Sequence, residues 1–352
     1  MTRVLIRLAA GIFSLALLFF PQAGAQGARS GLVLCAQTLI PSLFPAFAAA
    51  GLAMELGLGR WLGRKLGPVM EPVFHLSGPC ALPLALGLLG GYPVGAQSLG
   101  QLRAQGLCSR EEEERLLLFC NNSGPAFLLG VLGGSVFGQP SLGLFLWLVH
   151  ALSAFGVGLL TRGERRPHPS RALPNAPLPS PAAAFSRAVK QALASVLQVS
   201  AYVVLFQVLL GLIQALPLPQ LPFSRSCQAL LMGMLELTGG VCALTEELSL
   251  AGRLALASFL MGWGGLAVHC QTMALLEEEG LSFSPYLQAK LLQGLLAAGI
   301  CLVLLALFPS LIGAPSLSLS PLPLAGAGLA VCLGLVWTRR GKKDGNPDWS
   351  AL

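Results

Sequence analysis

Two long apolar segments of the chain are each interrupted by a pair of glycines. The first contains Gly90-Gly91 and is followed by Gln97, and the second contains Gly264-Gly265 and is followed by Gln271. One fixed offset superposes both glycine pairs and both glutamines. Glycine-interrupted apolar segments at corresponding positions of two halves are the best sequence pointer to the binding site of a transporter. The pattern therefore predicts a two-fold internal repeat with a solute site at the two breaks.

The composition places this repeat in a membrane. Hydrophobic residues make up 54% of the 352 residues, charged residues only 11%, and the mean hydropathy is +0.72. A soluble domain carries roughly 25% charged residues. Several apolar segments reach the ~20 residues that cross a bilayer as a helix, and helices satisfy their own backbone hydrogen bonds in lipid. We expect an all-α polytopic membrane protein with about 7–8 transmembrane helices plus two re-entrant helical hairpins.

Other function classes find no support in the residue pattern. The nine cysteines are scattered without a CxxC pair or a Cys/His spacing that suggests a metal site. The net charge of +7 comes from basic residues between the apolar segments, where topology signals lie, so nucleic acid is not an expected partner. No phosphate-binding loop, dinucleotide fingerprint or nucleophile set is present. We expect no catalytic residues, no metal, no cofactor and no enzymatic activity.

Changes in composition divide the chain into five parts. Residues 1–25 combine a basic start, a short apolar core and Ala23-Gly24-Ala25, which fits either a first transmembrane helix or a cleaved signal peptide. Residues 162–190 are rich in arginine and proline and are predicted to be a cytoplasmic linker. The predicted parts are an N-terminal helix (1–30), a first repeat (31–161, hairpin 78–104), the linker (162–190), a second repeat (191–338, hairpin 252–276) and a polar tail (339–352).

The first break has the composition of a hairpin tip. Pro93 lacks a backbone N–H, and the glycines before Tyr92 adopt dihedral angles closed to other residues. Downstream, Ser109 is a predicted helix N-cap followed by glutamates that complement the helix dipole. That helix runs into Asn121-Asn122-Ser123, followed by glycine and proline, and this composition predicts that it unwinds midway.

The distribution of charge favours an inverted repeat. With the amino terminus inside, most lysines and arginines fall on the cytoplasmic side, as the positive-inside rule requires, and Lys290 is counted among the outward-facing charges. The basic tail after residue 338 would then face outward, against the rule. If residues 227–247 cross the bilayer, the tail returns to the cytoplasm and the repeats are parallel.

Polar residues at the breaks are the candidate binding groups. An unwound Asn121-Asn122-Ser123 turn offers amide and carbonyl groups to a solute or a cation, although such residues also cap helices or join neighbouring ones. Gln97 and Gln271 would converge if a pseudo-two-fold axis relates the breaks, or match by chance. The predicted substrate-binding residues are Gly90, Gly91, Tyr92, Pro93, Gln97, Asn121, Asn122, Ser123, Gly264, Gly265, His269 and Gln271.

Two ionisable residues within apolar sequence have two interpretations each. His269 follows the second break and is either a proton carrier or a packed, hydrogen-bonded side chain. Glu236 is the ion-coupling candidate because an intramembrane carboxylate is functional by default. If its segment lies flat at the membrane surface, Glu236 is merely solvated.

Four runs of residues carry a resemblance to a known family. They are His75-Leu76-Ser77-Gly78, Gly90–Ala96, Glu114–Leu117 and Phe119–Pro125. Together they resemble the nucleoside-recognition or "gate" domain, and most closely the sporulation integral membrane protein YlbJ family. The gate module also occurs in nucleoside transporters and in the membrane part of ferrous-iron transporters.

The resemblance implies a multi-pass plasma-membrane protein of spore-forming bacteria. In the related nucleoside transporters the hairpin tips and the unwound helices bind the solute, which implies the same role for Gly90–Gln97, Asn121–Ser123 and Gly264–Gln271. We expect a secondary transporter or permease of a small solute, nucleoside-like or an ion, linked to sporulation and compatible with a homo-oligomer. The alternative is a non-transporting membrane assembly protein required for spore maturation.

Overall fold

The chain folds as a bundle of helices. The computed structural model describes residues 2–163, 178–215, 224–244, 246–276, 281 and 283–309, and within them helices are the only regular elements, with no strand. The predicted all-α class is confirmed. The predicted last span at 317–338 and the tail at 339–352 lie outside the described residues, as do residues 164–177 of the linker.

Two of the first four helices pack against a later, long helix. The four are α1 (Thr2–Phe19), α2 (Pro21–Leu34), α3 (Ile40–Glu55) and α4 (Leu58–Phe74), with a π-helical turn (Cys35–Leu39) between α2 and α3. The axis turns by 102° between α1 and α2. Helices α2 and α3 both pack along α9 (Pro181–Ala215). A Cβ on Gly27 would lie 2.8 Å from the Cα of Val208, so the close approach of α2 to α9 requires glycine there.

The remaining helices build the centre of the bundle. In chain order they are α5 (Ala81–Gly90), α6 (Val94–Ala104), α7 (Arg110–Cys120), a π-helix (Ala126–Val136), α8 (Pro140–Leu160), α9, α10 (Arg225–Leu235), α11 (Leu237–Cys242), α12 (Leu250–Trp263), α13 (Leu266–Leu276) and α14 (Phe283–Leu307). A 3₁₀ turn (Gly78–Cys80) precedes α5. Helix α9 begins at Pro181, inside the segment predicted as linker.

Helices α5 and α6 fold back against each other around the first glycine pair. Gly91 has a φ of 88°, which an L side chain rarely adopts. A Cβ on Gly87 would lie 3.1 Å from the Cα of Gly95, so the two helices cross at these glycines. We call α5 and α6 with the residues between them hairpin 1.

The second glycine pair does not form the hairpin predicted over 252–276. Helices α12 and α13 continue as one candidate membrane span, Leu250–Leu275, of 26 residues. The amide of Gly264 still donates to the carbonyl of Leu260, and the amide of His269 donates to the carbonyl of Gly265. The helical hydrogen bonds are therefore interrupted at only two residues, Gly264 and Gly265, both with positive φ. Helix α13 continues in the same direction as α12 and does not fold back on it.

A second hairpin lies earlier, in the apolar segment around Glu236, for which no hairpin was predicted. Helices α10 and α11 fold back around Glu236, whose backbone is extended, with φ −137° and ψ 114°. A Cβ on Gly240 would collide with the Cα of Gly233, so this pair brings the two helices together as Gly87 and Gly95 do in hairpin 1. We call α10 and α11 with Glu236 hairpin 2.

Four helical segments of the described chain are long and apolar enough to cross a membrane. They are Pro140–Leu160, Pro181–Ala215, Leu250–Leu275 and Phe283–Leu307. Two pairs of bent helices, Arg7–Phe19 with Pro21–Leu39 and Arg64–Phe74 with Gly78–Gly90, raise the number to six if each pair is one span. This is a multi-pass architecture. In the part of the chain that the structure describes, the number of candidate spans is four to six, fewer than the predicted 7–8.

Candidate solute-binding site

The tip of hairpin 1 meets the second glycine break. The hydroxyl of Tyr92 donates to the carbonyl of Met261 over 2.9 Å, and a Cβ on Gly264 would lie 3.1 Å from that hydroxyl. On the other side of the tip, a Cβ on Gly91 would lie 2.9 Å from the amide nitrogen of Gly124. Two breaks far apart in sequence are thus in contact at the centre of the bundle.

Helix α7 ends beneath hairpin 1, as the sequence predicts. A capping box starts the helix, because Ser109 Oγ accepts from the amide of Glu112 at 3.2 Å and a Glu112 carboxylate oxygen accepts from the amide of Ser109 at 2.8 Å. At its other end Asn121 has an extended backbone. A Cβ on Gly87 or Gly95 would collide with the carbonyl oxygen of Cys120, so glycine lets hairpin 1 cover the last turn of α7.

The unwound residues are buried and hydrogen-bonded to the second half of the chain. The Asn121 amide nitrogen donates to Thr272 Oγ1 at 2.8 Å and to the Tyr286 hydroxyl at 3.1 Å. Asn122 accepts at Oδ1 from the amide of Gln293 at 2.9 Å. The side chains of both asparagines are fully buried, so this network joins α7, α13 and α14 at one point.

A buried lysine lies at the centre of this network. Lys290 has no exposed surface, and its Nζ donates to the backbone carbonyl of Asn121 at 2.7 Å and to Gln293 Oε1 at 2.6 Å. The ammonium also lies 5.2 Å from the centroid of the Tyr92 ring, within cation–π range. Among the residues described, no carboxylate forms an ion pair with Lys290. Its partners are all neutral.

Several polar atoms around the lysine are buried without a hydrogen-bond partner. They include Asn121 Oδ1, His150 Nδ1 and both ring nitrogens of His269. His150 Nε2 accepts from the amide of Ser123 at 3.0 Å, so the neutral ring carries its hydrogen on Nδ1, a donor with no acceptor. Unsatisfied buried groups are rare in folded proteins and are typical of binding sites.

Aromatic rings surround His269 instead of hydrogen-bonding groups. Its ring lies 4.4 Å from Trp263, 5.4 Å from Tyr286 and 6.3 Å from Phe283, all in edge-to-face geometry. The predicted alternative of a packed, hydrogen-bonded side chain is therefore wrong in one respect, because His269 is packed but not hydrogen-bonded through its ring.

The structure separates some of the predicted site residues from this cluster. Gln97 donates to Ser195 Oγ at 2.6 Å, so its amide faces α9, beside a small cavity that it lines together with α3. Gln271 is buried on α13. Gly90 and Pro93 flank the tip of hairpin 1. Helices α6 and α13, which carry the two glutamines, are in contact, and the convergence of Gln97 and Gln271 stays a prediction.

Glu236 lies at the tip of hairpin 2 and caps α11. Its carboxylate accepts from the amides of Thr238 at 2.9 Å and Gly239 at 2.7 Å and from the Gln207 side chain at 2.9 Å. Only 3% of the residue is exposed, so a solvated position at the membrane surface is wrong. The tip contacts the second break, since a Cβ on Gly265 would lie 3.0 Å from the amide nitrogen of Leu237.

Five residues of the site were not predicted from the sequence: Thr272, Tyr286, Lys290, Gln293 and His150. Lys290 and Gln293 carried a usable signal, because two polar residues one turn apart in an apolar span mark a functional helix face. The topology argument instead took Lys290 as an outward-facing charge. The structure shows that its side chain lies inside the bundle on α14, while the side of the membrane stays a prediction. In the described part of the chain no group of His, Cys, Asp and Glu side chains is arranged to hold a metal ion.

Membrane-spanning helices, two hairpins and a polar centre define a multi-pass integral membrane protein, and comparison with known proteins identifies its family. Residues 36–138 match the gate family, described as "Nucleoside recognition". The chain is 31% identical over 313 residues to the sporulation integral membrane protein YlbJ of Bacillus subtilis (strain 168), which covers 79% of this chain and 76% of the relative. The chain belongs to the YlbJ family of sporulation integral membrane proteins, which confirms the predicted family and the membrane location. No solved structure matches it.

Proposed function

We propose that this protein is a permease that binds a small anionic solute, such as a carboxylate, where hairpin 1, the unwound turn 121–124 and α14 meet. The observation that supports this function is the ammonium of Lys290, which is fully buried and bonded only to neutral groups. An unpaired charge inside a protein or membrane is costly and marks a functional site. An anionic solute supplies the missing negative charge.

The polar atoms left without partners suit a carboxylate. Two hydrogens of the Lys290 ammonium go to Asn121 and Gln293, which leaves a third for a ligand. The free Nδ1–H of His150 is a second donor within the same network. Asn121 Oδ1 accepts a hydroxyl or a protonated oxygen of the solute. The solute is bound and released without a reaction, and the protein is not an enzyme.

We base the movement of the solute on an inverted repeat. This repeat matches hairpin 1 with hairpin 2, whereas the glycine pairs in the sequence match hairpin 1 with the break between α12 and α13. Each half consists of a hairpin, a broken helix and a span: α5/α6, α7 with the π-helix and α8 in the first, and α10/α11, α12 with α13 and α14 in the second. In each half the hairpin tip touches the break, through Gly91 and Gly124 and through Leu237 and Gly265. Separation of one tip at a time opens the site to one side of the membrane.

The relative's name connects this role with sporulation. We assign the protein to the plasma membrane of a sporulating cell, where it moves a solute that spore formation requires. A non-transporting assembly protein is the alternative, and it predicts that no solute binds at the centre.

The test uses the purified full-length protein in liposomes. Uptake of small mono- and dicarboxylates is measured against nucleosides and inorganic cations. We expect uptake of a carboxylate, and Lys290→Gln lowers its apparent affinity by at least about 100-fold, because loss of a buried charged partner costs about 3–5 kcal/mol. Lys65→Gln, at an exposed position of α4, is the matched control and keeps wild-type uptake.

Two outcomes contradict the proposal. Uptake of a nucleoside or a cation that Lys290→Gln leaves unchanged refutes the anion site. If no solute accumulates, and Asn121→Ala with Lys290→Gln leaves sporulation of the host cell intact, the assembly alternative stands.

A further inference from the structure

Among the described residues of the centre, His269 is the one whose ring nitrogens are both unused. It is fully buried, and neither ring nitrogen has a hydrogen-bond partner. A neutral imidazole presents one donor and one acceptor, and burial of both without partners is unfavourable. A buried group of this kind needs an explanation, and a functional role is one.

From this geometry we infer that His269 carries a proton that accompanies the solute, so that the permease is an anion–proton symporter. The inference rests on the anion-binding function proposed above. The ring of His269 lies 5.4 Å from that of Tyr286, and Lys290 is one helical turn beyond Tyr286 on α14. The imidazole and the ammonium therefore lie on either side of the same tyrosine, close to each other within the bundle.

Charge repulsion links proton uptake to solute binding. In the empty site a protonated His269 would place a second positive charge near Lys290, which is unfavourable in a medium of low dielectric constant. A bound anion removes this penalty, and with a dianion the imidazolium becomes a second counter-charge. The proton comes from water on the side to which the site is open, binds the free ring nitrogen and leaves with the solute on the other side.

Lys290 is a poorer candidate for the moving proton. Its ammonium is held by a carbonyl oxygen, an amide oxygen and the face of Tyr92, all of which favour the charged form. His269 has aromatic rings around it and no hydrogen bond to its ring, so no acceptor fixes a proton on it when the anion is absent.

The carboxylate of Glu236 and two arginines on neighbouring elements are already engaged. Glu236 of hairpin 2 accepts three hydrogen bonds, Arg103 of α6 pairs with Glu113, and Arg187 of α9 pairs with Glu55. Cys120 on α7, Cys270 on α13, His150 on α8 and the tyrosines 92 and 286 complete the set around α13. A pH effect on transport therefore has His269 as its principal origin.

The experiment records proton movement and solute uptake in the same liposomes, with a pH dye inside and the transported carboxylate outside. Without an initial pH gradient, wild-type protein should acidify the lumen as solute enters, and a gradient of one pH unit, acid outside, should raise accumulation by up to about tenfold. The variants His269→Gln and His269→Asn place an amide nitrogen near Nε2 and Nδ1, respectively. At least one of them should bind the solute and exchange it without acidification.

His75→Gln, which changes a histidine at the end of α4 that contacts the carbonyl of Gly163, is the control and should keep both activities. Uptake by wild type without acidification overturns the symport and leaves the anion permease standing. Acidification that persists in both His269 variants, or loss of solute binding in both, overturns the assignment to His269. Failure of the proposed function itself looks different, because wild type then shows no carboxylate uptake at all.

Discussion

Replacement of Lys290 by methionine should remove the proposed binding function at little net cost to stability. The ammonium is buried with neutral partners, so its removal leaves no opposite charge stranded. Burial of a charge costs several kcal/mol, and methionine removes this cost. Loss of the two hydrogen bonds from the charged group to Asn121 and Gln293 costs about 1.5–3 kcal/mol each and offsets the gain. Because methionine fills the same space as the lysine stem, we expect a net change of no more than about 2 kcal/mol.

Unfolding of the full-length protein in a fixed detergent measures this difference, with and without the carboxylate. In the absence of solute Lys290→Met should differ from wild type in its free energy of unfolding by no more than about 2 kcal/mol. A solute at about 100 times its Kd should stabilise wild type by about 2.7 kcal/mol and leave the variant unchanged. Lys65→Met on the exposed face of α4 controls for the change in charge. A loss of more than about 2 kcal/mol in Lys290→Met would mean that the ammonium has a stabilising counter-charge, and the reasoning would be refuted.

Two further predictions concern the framework around the site. Gly87→Ala should destabilise the protein by about 1–3 kcal/mol or more, because its Cβ would collide with the carbonyl oxygen of Cys120. The control Gly130→Ala, with open space around its Cβ, should be neutral in the same unfolding assay. Equal effects of the two substitutions would contradict the contact between Gly87 and Cys120. Ser109→Ala should lower the free energy of unfolding by about 1 kcal/mol through loss of the N-cap, and the exposed Ser135→Ala is its control. A Ser109 variant as stable as wild type would show that the cap contributes nothing.

Local signals in the sequence were sufficient for much of the fold. The capping box at Ser109 and the unwound turn at Asn121 depend on neighbours along the chain, so their residue types identify them directly. The helical class and the membrane location follow from composition and the lengths of the apolar segments. The family was recognised from motifs within residues 36–138, which is the region that matches the gate family.

The register of the repeat could not be read from the glycines. Gly90-Gly91 and Gly264-Gly265 look alike, but the first pair lies at a hairpin tip and the second interrupts a continuous span. Chain reversal depends on the residues after the glycines and on the surface against which the tip packs. The tip of hairpin 2 contains Glu236 instead of a glycine pair, so identity at aligned positions did not reveal this hairpin.

A motif search could not identify the candidate site, because its residues come from both halves of the chain. Asn121 and Asn122 come from the gate segment, and their partners Thr272, Lys290 and Gln293 come from the last two described helices. Each half alone presents amides or a lysine in apolar sequence, which general packing rules explain equally well. Only their contact turns the lysine into an uncompensated charge beside unused donors and acceptors. Because both halves supply its residues, the proposed site opens when the halves separate, as the proposed alternating access requires.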